Sequence, residues 1–158
     1  MKSFKVLSTL FICLLIPMVI GGISGFETAT SITDWYVTLN KPIFNPPNYL
    51  FAPVWTCLYA LMGISLFLVW KSPKGRDRNN ALLIFVLQLI LNFAWSFLFF
   101  KFNLIGVALV EIVLLWTGIL MMIIFLRRVS KLAAYLQIPY LLWVSFATIL
   151  NTAIWILN

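Results

Sequence analysis

Three tryptophans and a row of amide and hydroxyl side chains carry the chemistry of this sequence. Gln88, Asn92 and Ser96 recur every four residues and Trp95 stands three beyond Asn92, so a helix through them presents all four on one face. By the same spacing Phe51, Trp55, Tyr59 and Met62 share a face, as do Tyr140, Trp143, Ala147 and Asn151. Aromatic faces stack on flat apolar molecules, and a few amides and hydroxyls orient them. Singly, Gln88, Asn92 or Asn151 would do no more than hydrogen-bond a neighbouring helix; grouped with Trp55, Trp95 and Trp143 they point to a walled cavity. Acid–base and metal chemistry have little to work with. The chain has no histidine, which removes the commonest metal ligand and general base. It also has no glycine-rich phosphate loop, no Ser/His/Asp set and no paired carboxylates. Cys13 and Cys57 fall in apolar runs, where cysteine acts as a small hydrophobe. Glu111 is the one ionisable residue well inside an apolar run, about 10 Å in at ~1.5 Å per residue. A protonated structural role and a functional one are both open to it, and it is left outside the candidate site.

The elements that position these faces follow from composition. Of the 158 residues, 63% are hydrophobic and 9% charged, against about 45–50% and 25% in soluble domains. The predicted class is an all-α membrane protein, a single domain over residues 1–158. Apolar runs at 4–26, 49–70, 81–100, 104–126 and 132–157 are each long enough for a helix across the bilayer, giving five transmembrane helices. Pro17 inside the first is a kink that a membrane helix tolerates. That run also has a rival reading as a signal peptide, because Lys2 and Lys5 precede its apolar stretch and the small residues Gly21, Gly22 and Gly25 close it. Gly21 and Gly25 equally spell a helix-packing face. All the Lys and Arg residues except Lys41 and Lys101 lie before the first run, between the second and third, or between the fourth and fifth. Those places share one side of a five-span protein, so the N-terminus is expected in the cytoplasm, with loop 27–48 and the C-terminus outside. The net charge of +7 is accounted for by this orientation and by lipid headgroups, without nucleic acid. Loop 27–48 holds Pro42, Pro46 and Pro47, which fix φ and remove donors, so it is expected to be a stiff lid over the cavity.

Four separated segments together resemble one family. Trp35-Tyr36, Leu39, Lys41-Pro42, Phe44 and Pro46-Pro47 form the first; Phe51, Pro53, Val54, Trp55, Leu58, Tyr59, Met62 and Gly63 the second. Gln88-Leu89, Leu91-Asn92, Trp95-Ser96 and Phe99-Phe100 form the third, and Pro139-Tyr140, Trp143, Phe146-Ala147 and Leu150-Asn151 the fourth. In this order they resemble the tryptophan-rich sensory protein family (TspO/MBR), also called the translocator protein or peripheral benzodiazepine receptor family. The chain departs from the family pattern at Phe44 and Tyr49, where tryptophan is frequent, and at Ala52, where glycine is frequent.

The resemblance implies five packed transmembrane helices, commonly a homodimer, with a cavity opening under the first loop. It implies binding of porphyrins such as protoporphyrin, as a sensor, regulator or transporter-like protein; animal members bind cholesterol and benzodiazepine-type drugs. Carried over by motif, the ligand contacts are Tyr36, Pro46, Trp55, Tyr59, Asn92, Trp95, Ser96, Trp143 and Ala147. A second implied reading is enzymatic, the light-dependent degradation of protoporphyrin through Trp55 and Trp143. A third is a structural membrane scaffold. No cofactor is required beyond porphyrin as ligand or substrate, and without histidine a metal-free porphyrin suits the chain better than haem. Lys41, the loop's one cation, is positioned to meet a propionate. The proposed cholesterol pattern is missing after Leu150, where the tail has neither Tyr nor Lys/Arg.

Overall fold

The computed structural model describes residues 2–158, with side chains from Phe4 onward; the side chain of Lys2, counted above among the basic residues, lies outside the described residues. Every long element is helical: α1 (Lys2–Thr33), α2 (Phe51–Lys71), α3 (Arg76–Ser96), α4 (Ile105–Val129), α5 (Lys131–Tyr135) and α6 (Ile138–Leu157). Five stretches are long and apolar enough to cross a membrane, α5 and α6 together making the fifth. Helices satisfy their own backbone groups, which a bilayer interior demands.

α1 runs to Thr33, well past the apolar run that ends at Phe26. Its last turns are polar, and their hydroxyls fold back onto the helix: Thr28 Oγ1 donates to Ser24 O at 2.9 Å and Thr30 Oγ1 to Glu27 O at 3.0 Å. Two contacts tie this end to the end of α3. Ser31 Oγ donates to Phe100 O at 2.7 Å, and Lys101 pairs with Glu27 at 3.0 Å. Pro17 is accommodated within α1. Cys13, Ser24 and Ile32 are buried, so α1 packs into the bundle along part of its length.

α3 does not stop cleanly. It widens into a π turn over Phe97–Lys101 and closes when Leu104 N–H reaches back to Leu98 O at 2.9 Å. Asn103, at φ 56, takes the left-handed conformation that this reversal needs and that asparagine tolerates. α4 then returns along α3 in the most extensive helix pair of the bundle. Its buried residues Ala108, Glu111, Ile112, Leu115, Ile119, Met122 and Leu126 fall on one helical face, at spacings of three and four apart from the adjacent pair Glu111 and Ile112.

The apolar run 132–157 is two helices rather than one. Pro139 sits in the first turn of α6, where its missing N–H costs nothing, but it cannot continue the ladder of α5. The break is held by side chains. Gln137 Nε2 donates to Ser65 Oγ at 2.6 Å and to Leu61 O at 3.2 Å, and Ser65 Oγ donates to Ala133 O at 2.8 Å. Ser130 caps α5 by accepting from Ala133 N–H.

The segment between α1 and α2 is shorter than loop 27–48 and contains two 3₁₀ turns, Tyr36–Thr38 and Asn48–Leu50. It is fastened to the end of α6. Asn40 N–H donates to Asn158 Oδ1 at 2.9 Å, and Asn158 Nδ2 donates back to Asn40 O at 3.0 Å.

Candidate ligand cavity

A cavity of about 540 Å³ lies between α1 and α2, and Asn48 and Tyr49 are the residues that the segment joining these helices, the expected lid, brings to its border. Away from the lid the two helices touch closely, since a Cβ on Gly63 would stand 2.7 Å from Leu14 Cα. Nearer the lid, the absent side chains of Gly21, Gly22 and Gly25 leave volume between them. Phe51, Ala52, Trp55 and Tyr59 of α2 form the facing wall, Trp95 and Ser96 of α3 the back, and Asn48 and Tyr49 the rim. The lining is mostly apolar, in the size class of small-molecule sites.

The walls are stiffened by stacking and buried hydrogen bonds. Trp55 stacks on Tyr59 at 5.5 Å, and Trp95 on Phe99 at 5.4 Å; such pairs contribute about 0.5–1.5 kcal/mol each beyond area burial. Tyr59 donates its hydroxyl hydrogen to Asn92 Oδ1, and Asn92 Nδ2 donates to Tyr140 Oη at 3.0 Å, joining α2, α3 and α6. Trp95 Nε1 donates to Asn151 Oδ1 at 3.2 Å, and Asn151 Nδ2 to Ile105 O at 3.1 Å. The indole N–H of Trp55 has no such partner among the described residues. Ser24 Oγ, on a residue 3% exposed that lines the same cavity, is also unpartnered.

Adjoining this cavity is a second, narrow cleft of about 20 Å³, room for one water. Phe51, Trp55 and Trp95 are walls of both. The anticipated site is thereby divided. Trp55 and Trp95 face both spaces; Tyr59 and Ser96 line only the large one; Tyr36, Trp143 and Ala147 line only the small one. The aromatic faces of three helices do converge, but Phe51 stands between Trp143 and the open space, 6.3 Å from its ring. Pro46 and Asn92 line neither. Pro46 accepts from Asn45 Nδ2 through its carbonyl at 3.1 Å, and Asn92 is committed to the two tyrosines.

Lys41 does not extend toward the cavity. Its Nζ donates to Tyr36 O at 2.8 Å and Leu39 O at 3.1 Å and lies 5.0 Å from the Tyr36 ring centroid, so it folds the lid upon itself. Tyr36 is 1% exposed, and its hydroxyl donates to Asn45 Oδ1 at 2.6 Å. Burial pushes its pKa up to about 12.

The whole α1 wall escapes a search for aromatic faces. Its signal is the cluster Gly21, Gly22, Ser24 and Gly25, which suits a packing face or a leader equally well; Gly21 does pack, against Tyr59, while Gly25 faces open space.

Comparison with known proteins agrees with this architecture. The chain is 41% identical over 145 residues to the tryptophan-rich protein TspO of Archaeoglobus fulgidus, covering 92% of this chain and 94% of that one. It is 41% identical over 155 residues to the protein of the same name from Chlorobaculum tepidum, covering 98% of each. The translocator protein of Sus scrofa is 36% identical over 143 residues, 89% of this chain and 85% of its own. The TspO/MBR family model matches residues 13–156, and with five membrane-length helices around an aromatic cavity this chain belongs to the TspO/MBR family.

Proposed function

We propose that this membrane protein binds a tetrapyrrole such as protoporphyrin, or a similarly flat apolar molecule, in the cavity between α1 and α2, acting as a sensor or a transporter-like protein. The observation that carries the reading is the mostly apolar space of about 540 Å³ bounded by Trp55, Tyr59 and Trp95, with the Trp55 N–H and Ser24 Oγ unpaired. Indole faces supply stacking, and the two unpaired groups supply orientation. Of the motif-derived contacts, Trp55, Tyr59, Trp95 and Ser96 meet the ligand directly. Tyr36, Trp143 and Ala147 join them when Phe51 swings aside and the two spaces merge. Asn92 acts indirectly, by fixing Tyr59.

The test is equilibrium binding of protoporphyrin to the purified protein, followed by tryptophan fluorescence quenching. Gly25→Leu adds bulk on the cavity lining from a position where a Cβ meets nothing within 4 Å, and it is expected to weaken binding at least about tenfold while thermal unfolding shows the fold retained. Trp55→Phe keeps the aromatic surface and loses the N–H, with an expected cost of about 1 kcal/mol. Wild-type affinity in Gly25→Leu would place the ligand elsewhere. Light-dependent degradation is distinguished by comparing porphyrin loss in light and darkness at equal occupancy. Trp55 adjoins the open cavity and Trp143 does not, so Trp55→Phe is expected to slow any such loss more than Trp143→Phe.

A further inference from the structure

We infer that Arg78 anchors a binding site for the phosphodiester of an anionic phospholipid, at the end of the bundle away from the lid. Arg78 lies in the first turn of α3, yet it is only 8% exposed. Its Nε is fully buried and unpartnered, and its terminal nitrogens, which make no hydrogen bond among the described residues, keep the residue's small remaining exposure. The guanidinium carbon lies 5.0 Å from the Trp70 ring centroid, a cation–π contact, while Trp70 itself is 52% exposed.

A cation largely withdrawn from water without an internal anion is costly, and an anion meeting its still-accessible terminal nitrogens recovers part of that cost. None is supplied from within. Asp77 is exposed, and the ion pair found among the described residues, Lys101 with Glu27, is at the lid end. A stacked guanidinium with unpaired N–H donors is the side-chain arrangement that grips two phosphate oxygens at once. Exposed Lys71, Lys74 and Arg76 surround it, and Arg127, Arg128 and Lys131 stand at the same end of the bundle. Their summed potential draws anionic headgroups toward Arg78. The exposed face of Trp70 favours a lipid over a free anion, because an interfacial indole contacts the upper acyl chain while the phosphate sits on the guanidinium.

The test titrates the purified chain with phosphatidylglycerol, phosphatidylcholine or inorganic phosphate, reading bound lipid by native mass spectrometry and stability by thermal unfolding. Phosphatidylglycerol is expected to bind wild type about tenfold more tightly than Arg78→Gln, the loss of a bidentate charged contact. Exposed Lys74→Gln is expected to stay within about twofold of wild type. Unchanged phosphatidylglycerol affinity in Arg78→Gln overturns the site. So does an equal loss in Lys74→Gln, which would mean diffuse charge attraction only. Stabilisation by inorganic phosphate equal to that by the lipid overturns the lipid assignment. If Arg78→Gln does not fold, Arg78→Lys decides, because keeping the charge without the fork must still cost at least about threefold.

Discussion

Gly21 and Gly25 are one helical turn apart on α1 and line the same cavity, yet alanine at each should have opposite effects. Alanine is favoured over glycine within a helix by roughly 0.5–1 kcal/mol. At Gly25 a Cβ meets nothing within 4 Å, so Gly25→Ala is expected to gain that amount. At Gly21 the new carbon falls onto the Tyr59 ring. Tyr59 cannot easily yield: it is 4% exposed, Trp55 stacks on it, and its hydroxyl is bound to Asn92. Overpacking costs about 1–3 kcal/mol. If the ring turns away, Asn92 Oδ1 loses its donor, at about 1–3 kcal/mol more. After the helix gain, Gly21→Ala is expected to destabilise by roughly 1–5 kcal/mol. Denaturant unfolding of both variants in one detergent measures the difference, and near-ultraviolet circular dichroism reports whether the Trp55–Tyr59 stack survives. Equal stability of the two variants would refute the reasoning, showing that Tyr59 moves freely and that its bond to Asn92 does not hold α2 to α3.

Three further outcomes are expected. In a Cys57→Ser background, because Cys57 is exposed, a membrane-impermeant thiol reagent should label a cysteine at Asn40 from outside the cell and one at Gly75 only after permeabilisation; the reverse pattern would overturn the orientation drawn from the basic residues. Tyr36 is held neutral by burial with its pKa at about 12. Since its folded value lies above the ordinary value of 10.0, its contribution is complete below that value and is lost as pH rises from there toward about 12. Tyrosinate absorbance should then rise together with proteolytic cleavage of the lid, an effect absent in Tyr36→Phe. Asn158→Ala removes both bonds to the Asn40 backbone and should speed hydrogen exchange at the Asn40 amide about fivefold, for about 1 kcal/mol of lost anchoring; unchanged exchange would mean the contact does not hold the lid.

Hydropathy made the five spans legible because a bilayer leaves so few alternatives for an apolar run. It said less about where helices end. α1 continues to Thr33 on hydroxyls that bond back to its own carbonyls and on a tie to Phe100, neither of which hydropathy measures. The division at Gln137 depends on Pro139 together with Ser65 of α2, a contact between residues far apart in sequence. At the site, the spacing of Trp55, Tyr59, Trp95 and Ser96 placed four side chains on the cavity, since helical periodicity decides which residues face inward. The same periodicity could not separate lining from support, so Asn92 shares their face while serving Tyr59 and Tyr140. The glycine wall was illegible for a different reason: its contribution is the absence of atoms, and a stripe of small residues is also what close helix packing uses.

The Asn40–Asn158 contact joins positions 118 residues apart, which gives the lid a history as well as a shape. At about 5–20 residues per second, the chain between them takes on the order of ten seconds to synthesise. α1 and α2 are made first and bring the glycine wall and Trp55 together, and Tyr36 can already pack on Phe51, but the lid lacks its Asn158 tie until α6 is in the membrane. If the missing tie leaves the cavity more open on the lid side during that interval, a flat apolar ligand of the kind proposed above would enter it more readily than in the finished protein. A ligand taken up then would become the surface on which α3 and α6 close, so its presence during membrane insertion should raise the yield of folded protein beyond what its affinity for the finished protein accounts for.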